Sequence, residues 1–203
     1  MKLTWLGHAC FKLETKGYTI VIDPFEDGSV PGLKPVREEA DLVLCTHEHG
    51  DHNARHLIRA KNPMASPVII TSISTWHDDQ NGALRGADTI YIIDDGDCRV
   101  AHLGDLGCAL EPEQMKQLTN LDAVMVPIGG HFTIDASQAR ALIDQLHPRV
   151  VLPMHYRGDG FGYDVIGTLD GYLKLCSDVI HYDGNSIEIT GDMQPQTAVL
   201  QLP

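Results

Sequence analysis

Between two apolar segments, residues 46–52 read Thr-His-Glu-His-Gly-Asp-His, with three histidines and an aspartate crowded into one short stretch. Side chains alternate along an extended segment, so the H-x-H spacing sets His47 and His49 on one side. Asp51 and His52 follow where the chain turns toward a helix, and one loop could thus serve two neighbouring metal positions. Imidazole and carboxylate suit zinc or iron, and a catalytic site keeps a position open for water. A single loop histidine is explained by solvation or helix capping. Three with an aspartate at this spacing are better explained by a cation.

The flanking sequence predicts the elements that must hold this loop. Residues 3–14 and 18–22 are β-rich and separated by Thr15-Lys16-Gly17, which reads as an opening hairpin. It ends at Asp23-Pro24, and the Gly-, Pro- and acid-rich stretch to about Arg37 reads as a surface loop bordering the site. Residues 41–45 (DLVLC) form a short apolar strand that delivers the chain into the histidine loop. Beyond it, Ala54, Leu57, Ile58 and Lys61 follow helical spacing.

Strands are expected at 67–71, 89–94 and 98–104, the last two joined by Asp95-Gly96-Asp97. A helix should begin around Glu111-Pro112. A strand at 123–128 follows, then a helix opened by the Asp135/Gln138 capping pair and ending near His147-Pro148. Residues 149–155 form a buried strand ending in a histidine, 166–176 a short helix, and 186–190 and 197–201 closing strands. The pattern predicts one α/β domain over residues 1–203, layered sheets with outer helices.

Composition narrows the class of function. With 203 residues and 43% apolar content, the chain can bury a core but is short for two full domains. Its 28 acids against 15 bases give a charge of -13, which repels phosphate backbones and argues against a nucleic-acid partner. The opening residues have neither the charge pattern nor the unbroken apolar run of a signal peptide or membrane span, so a cytoplasmic protein without membrane contact is expected. Five scattered cysteines without a C-x-x-C pair argue against a disulfide framework or a thiolate zinc site.

H-x-H-x-D-H after an apolar strand resembles the metallo-β-lactamase-fold hydrolases, and further motifs in chain order extend the resemblance over most of the sequence. Asp23 matches the early aspartate that buttresses the metal loop. His77 in STWHDD matches the third histidine, Asp105 in HLGDLG the carboxylate that bridges both metals, and His155 in LPMHY the last histidine. TWLGHACF, HLGDLG and the pairing of PIGG with PMHY are similar to a compact subgroup of small bacterial zinc-dependent hydrolases. The resemblance implies a four-layer αβ/βα sandwich with the site along one edge of two sheets. It implies one metal bound by His47, His49 and His77, a second by Asp51, His52 and His155, and Asp105 shared; zinc is favoured, with manganese or iron as alternatives.

The expected chemistry is hydrolysis of an ester, lactone, phosphodiester or amide-type bond in a small molecule, with Asp51 and Asp105 orienting or deprotonating water. His102 and His8 are the candidate auxiliary proton donors. His102 competes with His77 as ligand, but strand alternation sets residues 102 and 105 on opposite faces, which favours His77. His131 after two glycines is a candidate for the pocket rim, and Arg157 for an anionic substrate group. The H-E-H order lacks the H-x-E that marks the redox di-iron branch of the fold. A mononuclear iron oxygenase and a non-enzymatic metal-dependent sensor or scaffold are the alternatives.

Overall fold

Alternation along the first strands sets the first layer. In the computed structural model, which describes residues 1–61 and 65–203, β1 (Lys2–Gly7), β2 (Cys10–Thr15) and β3 (Tyr18–Ile22) run as an antiparallel meander. The register pairs Leu3 with Leu13 and Leu13 with Ile20, and Trp5 with Phe11 and Phe11 with Ile22. One face of the sheet is therefore a block of buried Leu, Ile and aromatic side chains. β5 (Leu42–Leu44) joins β3 in parallel, and β13 (Ser186–Glu188) joins β1 to complete five strands.

The other face of this sheet carries Cys10 and Val21. They pack against Phe25, Val30, Val36, Ala40 and Ile58, all from the irregular stretch between β3 and residue 58. Two short strands brace that stretch, β4 (Glu39–Ala40) and β6 (Arg59–Ala60). The outer layer here is thus a folded loop rather than the expected helix. Of the helical spacing at 54–61, only a single 3-10 turn at Arg55–Leu57 forms, without a side-chain cap, before the chain returns to extended backbone at Ile58.

The second sheet has seven strands in the order β12-β14-β11-β10-β9-β8-β7. β7 (Ile69–Trp76), β8 (Ala87–Asp94) and β9 (Arg99–His102) are antiparallel neighbours. β10 (Ala123–Pro127), β11 (Val150–Met154), β12 (Val179–His181) and β14 (Gln196–Val199) continue in parallel from β9. Every residue of β10 and β11 is buried, as their continuous apolar runs require of strands covered on both faces.

Among the described residues, three α-helices, α1 (Pro112–Gln117), α2 (Ala136–Leu146) and α3 (Leu169–Leu173), complete the fold. In α2 the Asp135 carboxylate accepts from the Gln138 N–H and the Gln138 amide accepts from the Asp135 N–H, both at 2.9 Å. Its Ala139, Ile143 and Leu146 then reach the core at i, i+4 and i+7.

Several boundaries differ from expectation. The run at 3–14 is two strands, broken at His8, whose φ of 52° reverses the chain. β7 begins within the expected 67–71 but continues to Trp76, so it delivers His77 from its end. The helix expected at 166–176 is a single short turn, and β4, β6 and β12 are too short to leave a periodic signal. The two closing strands part company, β13 entering the first sheet and β14 the second. Among the described residues no helix is long and apolar enough to cross a membrane.

Candidate metal centre

The chemistry-bearing residues follow strand ends. Asp23 follows β3, Thr46 to His52 follow β5, His77 follows β7, Asp105 lies just past β9, His155 follows β11 and His8 follows β1. The two sheets bring these ends together, and ligand-type atoms meet in three overlapping groups: His47, His49 and His77; His47, His52 and Asp105; and His8, Asp51, His52 and His155.

Asp105 sits at the hub. Its Oδ2 lies 3.3 Å from His52 Nε2, 3.3 Å from His77 Nε2, 3.2 Å from His155 Nε2 and 3.9 Å from His47 Nε2. The remaining oxygen, Oδ1, is buried without a hydrogen-bond partner. Burial works to raise this carboxyl; with no cation bound, His155 and His52 hold it well below the usual carboxylate range only by carrying a proton toward it, the proton a bound cation would replace.

The opposite ring nitrogens are anchored. His52 Nδ1 meets the Asp23 carboxylate at 2.8 Å, and His77 Nδ1 the Phe132 carbonyl at 3.1 Å. His47 Nδ1 lies 3.0 Å from the Thr46 hydroxyl and 3.3 Å from Asp88 Oδ1. Each of these partners can accept, so each Nδ1 carries the proton and leaves an Nε2 lone pair turned toward Asp105. Buried lone pairs converging on a carboxylate oxygen are acceptors facing acceptors, and a cation is what satisfies such a set. His47 Nε2, His52 Nε2 and His155 Nε2 are indeed buried without hydrogen-bond partners. Imidazole and carboxylate donors fit zinc, manganese or iron.

Asp23 is the brace of the loop. Its Oδ1 accepts from the Thr46 N–H and its Oδ2 from the Thr46 hydroxyl, both at 2.7 Å, beside the bond from His52. A second brace, Asp88 on β8, went unnoticed in the sequence, where it stands just before the expected strand. It is fully buried, lies against His47 and accepts from the Asp105 N–H at 3.2 Å. Burial pushes its carboxyl up to about 6, against the pull of His47. Gly104, at φ 57°, passes directly over it, where a Cβ would run into the carboxylate.

Asp51 is the partly accessible acid of the cluster, with its Oδ2 3.4 Å from His8 Nε2 and 3.8 Å from His52 Nε2. Burial works to raise it, but the His8 and His52 imidazoles keep it ionised and below its ordinary range. Tyr163 donates to it at 3.2 Å from the loop after β11, a contact between residues too distant in sequence to leave a local pattern. His49 is exposed, its ring 4.7 Å from His47 and 5.1 Å from His77. Glu48 turns outward to pair with Arg55 and takes no part.

Three further candidates stand outside the three groups of ligand atoms. His102 is buried against Phe11; its Nε2 donates to the Ala9 carbonyl at 2.8 Å and its Nδ1 accepts from the Gly104 N–H at 3.1 Å. Both nitrogens are committed to backbone, so His102 buttresses two turns instead of donating protons. His131 is exposed and packs edge-on against Phe132, and the exposed Arg157 donates to the Ile166 carbonyl.

Comparison with known proteins accords with this arrangement. The Beta-lactamase superfamily domain matches residues 2–155, a span containing every clustered residue except Tyr163. A UPF0173 metal-dependent hydrolase of Hyperthermus butylicus is 32% identical over 188 residues, covering 75% of this chain and 82% of its own. A second such protein, from Methanopyrus kandleri, is 28% identical over 193 residues, covering 77% of this chain and 84% of its own. The crystal structure of a proposed Zn-dependent hydrolase of the metallo-beta-lactamase superfamily from Thermotoga maritima is 30% identical, with a TM-score of 0.79, and covers 100% of this chain and 99% of its own. Relatives reach into the archaea, so the likeness is not to a bacterial subgroup alone. Sequence, fold and clustered site agree: the chain belongs to the metallo-β-lactamase superfamily and, within it, to the UPF0173 metal-dependent hydrolases.

Proposed function

We propose that the chain hydrolyses an ester, lactone, phosphodiester or amide-type bond of a small molecule with the help of two divalent cations, zinc in preference to manganese or iron. One position would be held by His47, His49 and His77 and the other by Asp51, His52 and His155, with Asp105 between them. The observation that carries this reading is the convergence of imidazole Nε2 atoms on one buried carboxylate, with the Nδ1 atoms of His52 and His77 anchored on acceptors. When bound, such ions bring the pKa of water toward neutrality and polarise the oxygen under attack.

The protein's own groups do the rest. Asp105 and Asp51 orient water by accepting its hydrogens, and Asp51, the partly accessible carboxylate beside His8 and His52, is placed to take a proton and return it to the leaving atom. The Tyr163 hydroxyl lies against both the Asp51 carboxylate, at 3.2 Å, and the Ser29 carbonyl, at 2.9 Å, and shares its one proton between them. Asp23 and the Phe132 carbonyl hold His52 and His77 in the tautomer that keeps Nε2 free. The net charge of -13 supports a small-molecule substrate over nucleic acid. Five free cysteines are in keeping with a cytoplasmic setting, where thiols stay reduced.

The test is metal identity and content of protein purified without chelator or nickel resin, beside His77→Ala. About two zinc or manganese ions per chain, falling toward one in the variant, support the reading and justify a screen of esters, lactones and phosphodiesters. A single iron with oxygen uptake would replace it with the oxygenase reading. No metal under replete conditions would favour a non-enzymatic role.

A further inference from the structure

His8 is held in place by much and holds nothing itself. Its side chain is buried, and neither ring nitrogen has a hydrogen-bond partner. Its backbone, at φ 52°, is fastened from three directions. The Trp5 indole donates to the His8 carbonyl at 2.9 Å, the His155 N–H donates to the same oxygen at 3.3 Å, and His102 donates to the next carbonyl, that of Ala9, at 2.8 Å. Buried polar groups in native proteins find partners, and a scaffold this dense around an unpartnered imidazole calls for a partner that is not protein.

The ring lies 4.1 Å from that of His155 and 5.5 Å from that of His52, centroid to centroid, with Nε2 3.4 Å from Asp51 Oδ2. Tyr163 closes the remaining side at 5.6 Å. One donor atom each from His8, Asp51, His52 and His155 thus falls in a single cluster. Packing alone would be met by an apolar ring of similar size without stranding two nitrogens.

The geometry points to His8 as a further protein donor to the cation position of Asp51, His52 and His155. This assignment rests on the two-cation reading and adds a ligand that the H-x-H-x-D-H motif does not contain. The two positions then differ in kind. The one with His8 is surrounded by three imidazoles and the Asp51 carboxylate, of which Asp51 alone is partly accessible. The one at His47, His49 and His77, with His49 facing solvent, is the more open of the two.

The test is titration of the full-length, metal-free protein with cobalt(II), followed by visible absorption and by competition with a chelator. The variant is His8→Asn, because asparagine tolerates the left-handed backbone and its amide is too short to reach the cluster; circular dichroism checks its fold. Wild type is expected to take two equivalents. In the variant one equivalent should weaken by more than the ~10–100-fold typical of losing a hydrogen bond to a ligand, and its ligand-field spectrum should change with the lost nitrogen. An unchanged spectrum, with either intact affinity or a smaller loss, would overturn the assignment while leaving two-cation binding in place. Uptake of one equivalent by wild type would instead refute the two-cation reading, and the spectrum of that equivalent in His8→Asn would still decide whether His8 is a donor. Should the variant fail to fold, wild type labelled with 15N-histidine and loaded with 113Cd should show one more coupled ring nitrogen than His47, His49, His52, His77 and His155 supply. Coupling at those residues alone would count against His8.

Discussion

Asp23→Asn changes one buried carboxylate to an amide of the same shape, so packing is kept while hydrogen-bond polarity is not. The carboxylate faces donors only: the Thr46 N–H at Oδ1, and the Thr46 hydroxyl and His52 Nδ1 at Oδ2. An amide with its NH2 at the Oδ1 position points a donor at the Thr46 N–H. Turned the other way, it points a donor at His52 Nδ1 and drives the His52 proton to Nε2, the atom that faces Asp105 at 3.3 Å. One orientation loosens the loop and the other blocks a ligand. Losing a hydrogen bond to a charged group costs about 2–3 kcal/mol, and in a protein of this size that is a fall in Tm of about 4–12 °C. Metal affinity should drop ~10–100-fold, since second partners of ligating histidines carry effects of that size. Thermal melts of metal-free and zinc-loaded protein, with competition titrations, read both quantities. A variant that melts with wild type and binds zinc with wild-type affinity would refute the argument that Asp23 sets the His52 tautomer.

Gly104→Ala places a side chain at φ 57° against the Asp88 carboxylate, and should cost about 2–4 kcal/mol and lower metal content by displacing the Asp105 turn; wild-type melting and metal content would contradict this. Asp95 accepts from the N–H groups of Asp97 and Cys98 and from the Thr15 hydroxyl, and against the opposing effect of burial these bonds lower its folded-state pKa below 3.8. Its stabilisation is therefore present above about pH 4 and lost as pH falls through the folded-state value, so Asp95→Asn should destabilise near neutral pH by about 2 kcal/mol and lose less than wild type on acidification. Denaturant melts from pH 3 to 7 check the sign; a variant whose deficit grows in acid contradicts it. Asp135→Ala removes the α2 cap without touching a ligand-type side chain of the cluster, and should cost about 1 kcal/mol in stability with no change in metal content, which metal analysis and melts would check.

How much of this was legible in the sequence depends on how local each signal is. The histidine loop, the Asp95-Gly96-Asp97 hairpin and the Asp135/Gln138 cap are short-range patterns whose physics is complete within a few residues, and the structure shows the hairpin and cap as read. His77, Asp105 and His155 could be ordered only through the family resemblance, because their proximity to the loop exists once both sheets are built. Asp88 and Tyr163 carried no local signal: each becomes meaningful by meeting a residue from a distant strand end. The turn at His8 was hidden because glycine, histidine and alanine between two β-rich runs do not announce a reversal; the left-handed φ does. Alternation through 105 kept His102 out of the ligand set, and both its nitrogens are bonded to backbone, although β9 ends at His102 and the left-handed Gly104 redirects the chain.

Supply of the site from six separate strand ends has a consequence for how the protein is made. During synthesis the emerging chain first offers a cation His8 and the loop from His47 to His52, without the strand ends that supply the remaining ligands. The nearly complete pocket must wait until His155 is translated and β11 has settled beside β10. A cation captured early would be shared with other ligands in the cell, whereas one captured late is bound by a frame already ordered. Metal then acts as a selective ligand of the finished fold: at a free concentration a thousand times its Kd it adds about 4 kcal/mol to the native state and little to unfinished chains. Cellular metal supply would thereby set the lifetime of the completed protein more than the rate at which it folds.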